Sequence, residues 1–172
     1  MTDATLIVGY AALTGLAAQV KVYINPAVPI TGQTFAVLLA GAALGSKRGG
    51  ASMLFYLMMG IAGVPVFASG GAISGASRGY LLGFVVAAVI VGYLVERGWA
   101  RNPVKLVAAM LAGEVAIYAC GLPWLAFYVP ANKVLPWGLN DFIIGDIIKL
   151  LMAAFGVPLA WAGMRWFKGE DI

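Results

Sequence analysis

From Gly79 to Val95 the chain carries no charged residue, and stretches of similar character recur along nearly its whole length. Of the 172 residues, 62% are hydrophobic and 10% are charged. A soluble domain is usually about half apolar and about a quarter charged. A soluble fold this short has too little interior to hide so much apolar surface, whereas the hydrocarbon of a bilayer accepts it directly. The 23 glycines agree, because glycine is more frequent in membrane helices than in soluble ones.

Six apolar stretches predict six transmembrane helices in one domain spanning residues 1–172, with no linker and no internal repeat. They run from about Ala4 to Val22, Thr34 to Gly45, Ala51 to Ala62, Gly79 to Val95, Pro103 to Leu122 and Asp141 to Phe167. Pro26 and Pro29 stop the first. The second and third are short for a span of about 20 residues. They read as two short helices separated by Ser46-Lys47-Arg48-Gly49-Gly50, since Lys47 and Arg48 would be costly at the bilayer centre. Pro123, Pro130 and Pro136 predict a wet, aromatic loop before the last helix. With the N-terminus inside, the cytoplasmic side holds Lys47, Arg48, Arg97, Arg101, Lys105, Arg165 and Lys168. The outer side holds Lys21, Arg78 and Lys133. The bias predicts that both termini are cytoplasmic in a multi-pass protein of the cell membrane. Met1-Thr2-Asp3-Ala4 lacks a basic region, so no cleaved signal peptide is expected.

The same residues exclude several functions. The chain has no His, which removes His-based acid–base catalysis and the commonest metal ligand. The single Cys120 forms neither an intrachain disulfide nor a zinc cluster. No metal and no cofactor are expected. The basic residues fall in short clusters between apolar stretches, which is a topology signal and not a nucleic-acid stripe. No phosphate-binding loop is present, so ATP is not bound by that route.

Three ionisable residues lie within apolar stretches: Glu114, Asp146 and Lys149. A charge in a bilayer is expensive unless paired or wet, so each is a functional candidate. Asp146 and Lys149 are three apart and share a helix face, as a ligand site or as a self-neutralising ion pair. Tyr118 follows Glu114 by one turn. For Glu114 a proton relay, a ligand contact and a protonated buried acid are all open. The loop from Val64 to Tyr80 is glycine-rich and carries Ser69, Ser74, Ser77 and Arg78. Its apolar Phe67, Ile73 and Tyr80 need cover, as in a lid over a pocket. Trp124, Phe127, Tyr128 and Trp137 suit a membrane-interface belt. On the first helix, Ala11 with Gly15 and Thr14 with Ala18 place small residues four apart, a spacing that lets another helix approach closely.

Taken in order, these segments resemble the BioY family, the biotin-binding S components of energy-coupling-factor (ECF) transporters. The resemblance rests on Pro29-Ile30-Thr31-Gly32-Gln33-Thr34-Phe35-Ala36-Val37-Leu38-Leu39-Ala40-Gly41, on Gly63-Val64-Pro65-Val66-Phe67-Ala68 and on Gly79-Tyr80-Leu81-Leu82-Gly83-Phe84. It continues through Tyr118, Gly121-Leu122-Pro123-Trp124-Leu125 and Gly145-Asp146-Ile147-Ile148-Lys149. It implies an all-α, six-helix S-component bundle that holds biotin near the outer face and delivers it with a membrane T component and ATPase subunits. It implies no enzymatic activity. Asp146 and Lys149 match the family's Asp-x-x-Lys, and Gln33, Phe67, Ser74, Arg78, Tyr80, Glu114 and Tyr118 join them as candidate ligand contacts. The small residues Ala11, Thr14, Gly15 and Ala18 resemble the family's docking surface for the T component. The sequence departs from the family where Gly75-Ala76-Ser77-Arg78-Gly79-Tyr80 replaces the usual Gly-Pro-Thr-Gly-Gly-Tyr, and at Glu114, where an uncharged polar residue is usual.

The chemistry suits biotin. A carboxylate such as Asp146 can accept from the ureido N–H groups, Lys149 can donate to the ureido oxygen, and Arg78 could meet the tail carboxylate. The competing readings are an S component for another small vitamin and a proton-coupled secondary transporter using Glu114 and Asp146. A membrane enzyme fits poorly with the lack of His and of paired catalytic carboxylates.

Overall fold

The computed structural model describes residues 2–69, 75–150 and 152, and the chain is mostly helical. Helix α1 (Asp3–Gln19) leads into two short strands, β1 (Lys21–Val22) and β2 (Ile30–Thr31), which pair antiparallel with Lys21 opposite Thr31. They close the neck of the Pro26- and Pro29-containing loop. Helical segment α2 (Gln33–Ile61), α3 (Arg78–Glu96) and α4 (Pro103–Leu125) follow. A short α5 (Ala131–Leu135) runs through a π turn (Pro136–Asn140) into helix 141–150.

Segment α2 contains both short helices expected from the sequence, but the division between them is shorter. Residues 46–50, predicted to be a loop, are helical, and the only non-helical residue is Gly45, at φ 79°. Glycine alone adopts that conformation without steric cost. The chain reverses there. A Cβ on Gly49 would lie 3.1 Å from the Cα of Gly41, and Gln33 bonds Tyr56 across the pair. The turn is braced by the Glu96 carboxylate, which accepts from the Ser46 backbone N–H at 2.8 Å and from its hydroxyl at 2.9 and 3.1 Å. This satisfies one of the donors left open at a helix start.

Two proline readings are corrected. Pro123 lies inside α4, in its last turn, where a missing N–H removes one helical bond near a frayed end. Pro136 opens the π turn, so helical structure begins at Ala131, before the expected start at Asp141. At the other end of α4, Asn102 accepts from Val104 N and Lys105 N at 2.9 and 3.3 Å, and Pro103 follows in the first turn. The predicted helix end at Phe167, with Arg165 and Lys168, lies outside the described residues.

The small-residue stripe on α1 is also corrected. Ala11, Thr14, Gly15 and Ala18 are all buried inside the bundle. Ser52 donates to the Ile7 carbonyl at 2.9 Å, and a Cβ on Gly15 would meet Val66 at 3.2 Å. The stripe does permit close helix approach, but its partner is α2 and the loop after it. Among the described residues, Gly75–Glu96 and Pro103–Leu125 are long and apolar enough to cross a membrane.

Candidate ligand-binding site

Loop 23–29, the start of α2, the loop after it, α3, α4 and helix 141–150 together enclose a cavity of about 120 Å³. Most of its wall is apolar. Pro26, Ala27, Val28 and Pro29 form one side, and Leu81, Phe84, Ile117 and Phe142 form the other. The rings are ordered by their neighbours. Tyr80 stacks on Phe142 at 6.4 Å between centroids and 21° between planes, and meets Tyr118 edge-on at 6.3 Å. Tyr56 supports Phe67 edge-on at 5.4 Å. Such arrangements match the charge distribution of aromatic rings and fix their orientation.

Close helix packing makes this wall possible. A Cβ on Gly121 would lie 2.4 Å from the Tyr80 ring, and one on Gly79 would lie 2.3 Å from Trp124. The Tyr80 hydroxyl donates to the Gly138 carbonyl at 2.9 Å. That carbonyl belongs to the π turn, where irregular helical bonding leaves backbone groups open to other partners. Trp124 donates to the Gly75 carbonyl at 2.9 Å, and Lys21 donates to the Ala68 carbonyl, so both described ends of loop 64–78 are tied down.

The polar end is compact. Lys149 donates to Asp146 Oδ1 at 3.1 Å and to the Thr34 hydroxyl at 3.0 Å. Tyr118 donates its hydroxyl proton to Asp146 Oδ2. Both Asp146 oxygens are therefore engaged, as burial of a charge requires. Beside them, Thr31 donates to Gln33 Oε1 at 2.9 Å, Gln33 Nε2 donates to the Tyr56 hydroxyl, and Tyr56 donates to the Val66 carbonyl at 3.1 Å. A chain of this kind has each member held by the next, so the Gln33 amide is preorganised.

The structure brings together Gln33, Phe67, Tyr80, Tyr118 and Lys149, all of which line the cavity. Asp146 and Glu114 do not line it; they are 5% and 4% exposed and stand behind its wall. Asp146 reaches the cavity through the Tyr118 and Lys149 groups it holds. Neither oxygen of Glu114 has a hydrogen-bond partner among the described residues, although Asp146 and Lys149 are near enough for their charges to act on it. Arg78 is exposed and is not part of the cavity wall; its neighbour Ser77 is, because adjacent positions at a helix start point in different directions. Ser74 lies outside the described residues. Sequence reasoning passed over Thr31 and Thr34, although both sit in the signature stretch, and Phe142. Among the described residues, no cluster of His, Cys, Asp and Glu could hold a metal.

A family model, that of the BioY family, matches residues 1–166. The chain is 39% identical over 155 residues to the probable biotin transporter BioY of Pyrococcus horikoshii, covering 88% of this chain and 91% of that protein. It is 37% identical over 150 residues to the biotin transporter BioY of Thermotoga maritima, covering 84% and 87%. Its fold is similar to the crystal structure of the S-component for biotin from an ECF-type ABC transporter. That match has a TM-score of 0.80 and 27% identity, and covers 90% of this chain and 88% of that one.

Proposed function

The chain belongs to the BioY family, and we propose on that premise that it captures biotin as the membrane-embedded S component of an ECF-type transporter. The observation that carries this reading is the placement of the Lys149–Asp146–Tyr118–Thr34 cluster beside a mostly apolar, ring-lined cavity. Biotin has a matching division, with a ureido group that donates and accepts, an apolar bicycle and a carboxylate tail. Lys149 offers a charge-assisted donor to a ligand oxygen. The hydroxyls of Thr31, Thr34 and Ser77 can turn to donate or accept. Tyr80, Phe84 and Phe142 cover the bicycle. Asp146 acts from behind, by holding the Lys149 ammonium and the Tyr118 hydroxyl in place. The chain does no chemistry on its ligand, and it has no enzymatic role.

The same reading includes six membrane spans, both termini in the cytoplasm of a cell-membrane protein, and a T component with ATPase subunits as partners. The α1 stripe being buried, the surface offered to a T component is the opposite side of α1. There Thr5, Gly9 and Ala12 are exposed, and a Cβ on Gly9 would meet nothing within 4 Å. Gly9→Leu is expected to leave biotin affinity unchanged while reducing uptake by a complete transporter at least about tenfold, because a bulky side chain blocks close helix approach. Co-purification of the T component with the variant at wild-type yield would move the docking face elsewhere.

Calorimetry of the detergent-purified protein with biotin and a panel of other water-soluble vitamins tests the ligand. Biotin is expected to bind in preference to all others; saturable binding of a different vitamin alone would make this an S component for that compound. The buried Glu114, without a hydrogen-bond partner among the described residues, favours one competing reading, proton-coupled transport. Uptake that persists without ATPase subunits and collapses with the proton gradient would select it.

A further inference from the structure

Asn25 lies in the loop between β1 and β2, 6% exposed, and its side-chain amide is engaged on both sides. Its Oδ1 accepts from the backbone N–H groups of Ala27 and Val28, each at 3.0 Å. Its Nδ2 donates to the Trp137 carbonyl at 3.1 Å and to Asp141 Oδ2 at 2.9 Å. The first pair of bonds shapes loop 23–29. The second pair pins that loop to the π turn and to the first residue of helix 141–150. Only an amide offers an acceptor and two donors on so short a side chain.

Both elements joined this way contribute to the wall of the site. The loop supplies Tyr23, Val28 and Pro29 to the cavity wall, and the helix supplies Phe142 and Lys149. Asn25 itself is not part of the wall. The Tyr80 bond to Gly138 anchors the same π turn from α3, so the turn is fixed to the bundle and the loop is fixed to the turn.

We propose that Asn25 is a positioning residue for the ligand: with Asp141 as its partner, it holds the loop wall against the helix that carries the polar cluster. This inference rests on the biotin-binding reading above. A ligand enclosed between loop and helix leaves only when the two part, so the latch governs residence time.

The test is a reciprocal exchange. Asn25→Asp keeps the acceptors for Ala27 and Val28 but sets a carboxylate against Asp141 and the Trp137 carbonyl. It is expected to speed biotin dissociation at least about tenfold, with a smaller change in association. Adding Asp141→Asn turns the facing carboxylate into a donor and is expected to recover at least about threefold of that loss. A purely structural defect would not be rescued by a second substitution that only reverses donor and acceptor. Wild-type dissociation from Asn25→Asp, or no recovery in a folded double variant, overturns the proposal. Hydrogen exchange without ligand provides the independent arm: Asn25→Ala should accelerate exchange at the Ala27 and Val28 amides, and unchanged exchange there also overturns it. Failure of the wild-type protein to bind biotin would strike the functional reading and leave the exchange arm to decide the latch.

Discussion

Replacing Asp146 with Asn is expected to weaken biotin binding at least about tenfold, roughly 1.4 kcal/mol. Asp146 receives Lys149 on one oxygen and Tyr118 on the other. An amide keeps one acceptor and substitutes an NH₂ for the second, so a donor must face either the ammonium or the phenol. Lys149 also loses its counter-charge. Breaking a buried ion pair by removing one partner costs about 3–5 kcal/mol. The cost here lies toward the lower end, because Lys149 is 15% exposed and reaches the cavity. Two measurements separate the effects. Calorimetry reads the affinity, and thermal unfolding reads the pair. Adding Lys149→Met to Asp146→Asn should recover unfolding temperature, because no lysine ammonium is then left without its counter-charge, while biotin binding stays weak. A folded Asp146→Asn protein with wild-type affinity would remove Asp146 from the site.

Gly92→Val should be the most damaging single change to the fold. Gly92 on α3 is where the reversal at Gly45 is seated. A Cβ at Gly92 would fall 2.3 Å from Gly45 C and 2.3 Å from Ser46 N. Both are backbone atoms, so no side chain can swing aside. Forcing extra atoms into a packed interior costs about 1–3 kcal/mol and occasionally more. For a chain of this size each kcal/mol moves the unfolding temperature by about 2–4 °C. A drop of roughly 5–10 °C is expected, with displacement of the Glu96 brace. The contrast is Gly9, where the added side chain meets open space. Equal unfolding temperatures for Gly92→Val and the wild type would show that the turn yields.

The helices that could be read from the sequence were those whose apolar runs end at strong stops. The boundaries of α3 and α4 fall within a few residues of expectation because Glu96-Arg97-Gly98 and Asn102-Pro103 punctuate them. The pairing of Asp146 with Lys149 was legible for a similar reason, since helical spacing is local. What escaped was set by contacts between distant segments. Thr34 lies 115 residues from the Lys149 it binds, and Asn25 lies 116 from Asp141. No local pattern records such a meeting. The small residues of α1 announced that something packs closely against them without saying what, and the answer was the chain itself. The second stretch was expected to end at Gly45, where the break falls; what escaped was that the turn is this one residue, because Lys47 and Arg48 drew a longer loop, although both fit an exposed first turn. Arg78 was attractive by charge, yet adjacent Ser77 faces the cavity.

The reversal at Gly45 has a consequence for biogenesis. Residues 33–44 and 46–61 make helices of about 18 and 24 Å at 1.5 Å per residue. Each is shorter than the roughly 30 Å thickness of bilayer hydrocarbon. A single residue joins them, so on the six-span reading proposed above neither can be handed to the membrane while the other waits in water. The two segments partition together, as one hairpin, with their polar backbone groups already satisfied within each helix. On that reading insertion of this region is a single event, and a residue that disturbs the turn acts while the protein is being made as well as after it has folded.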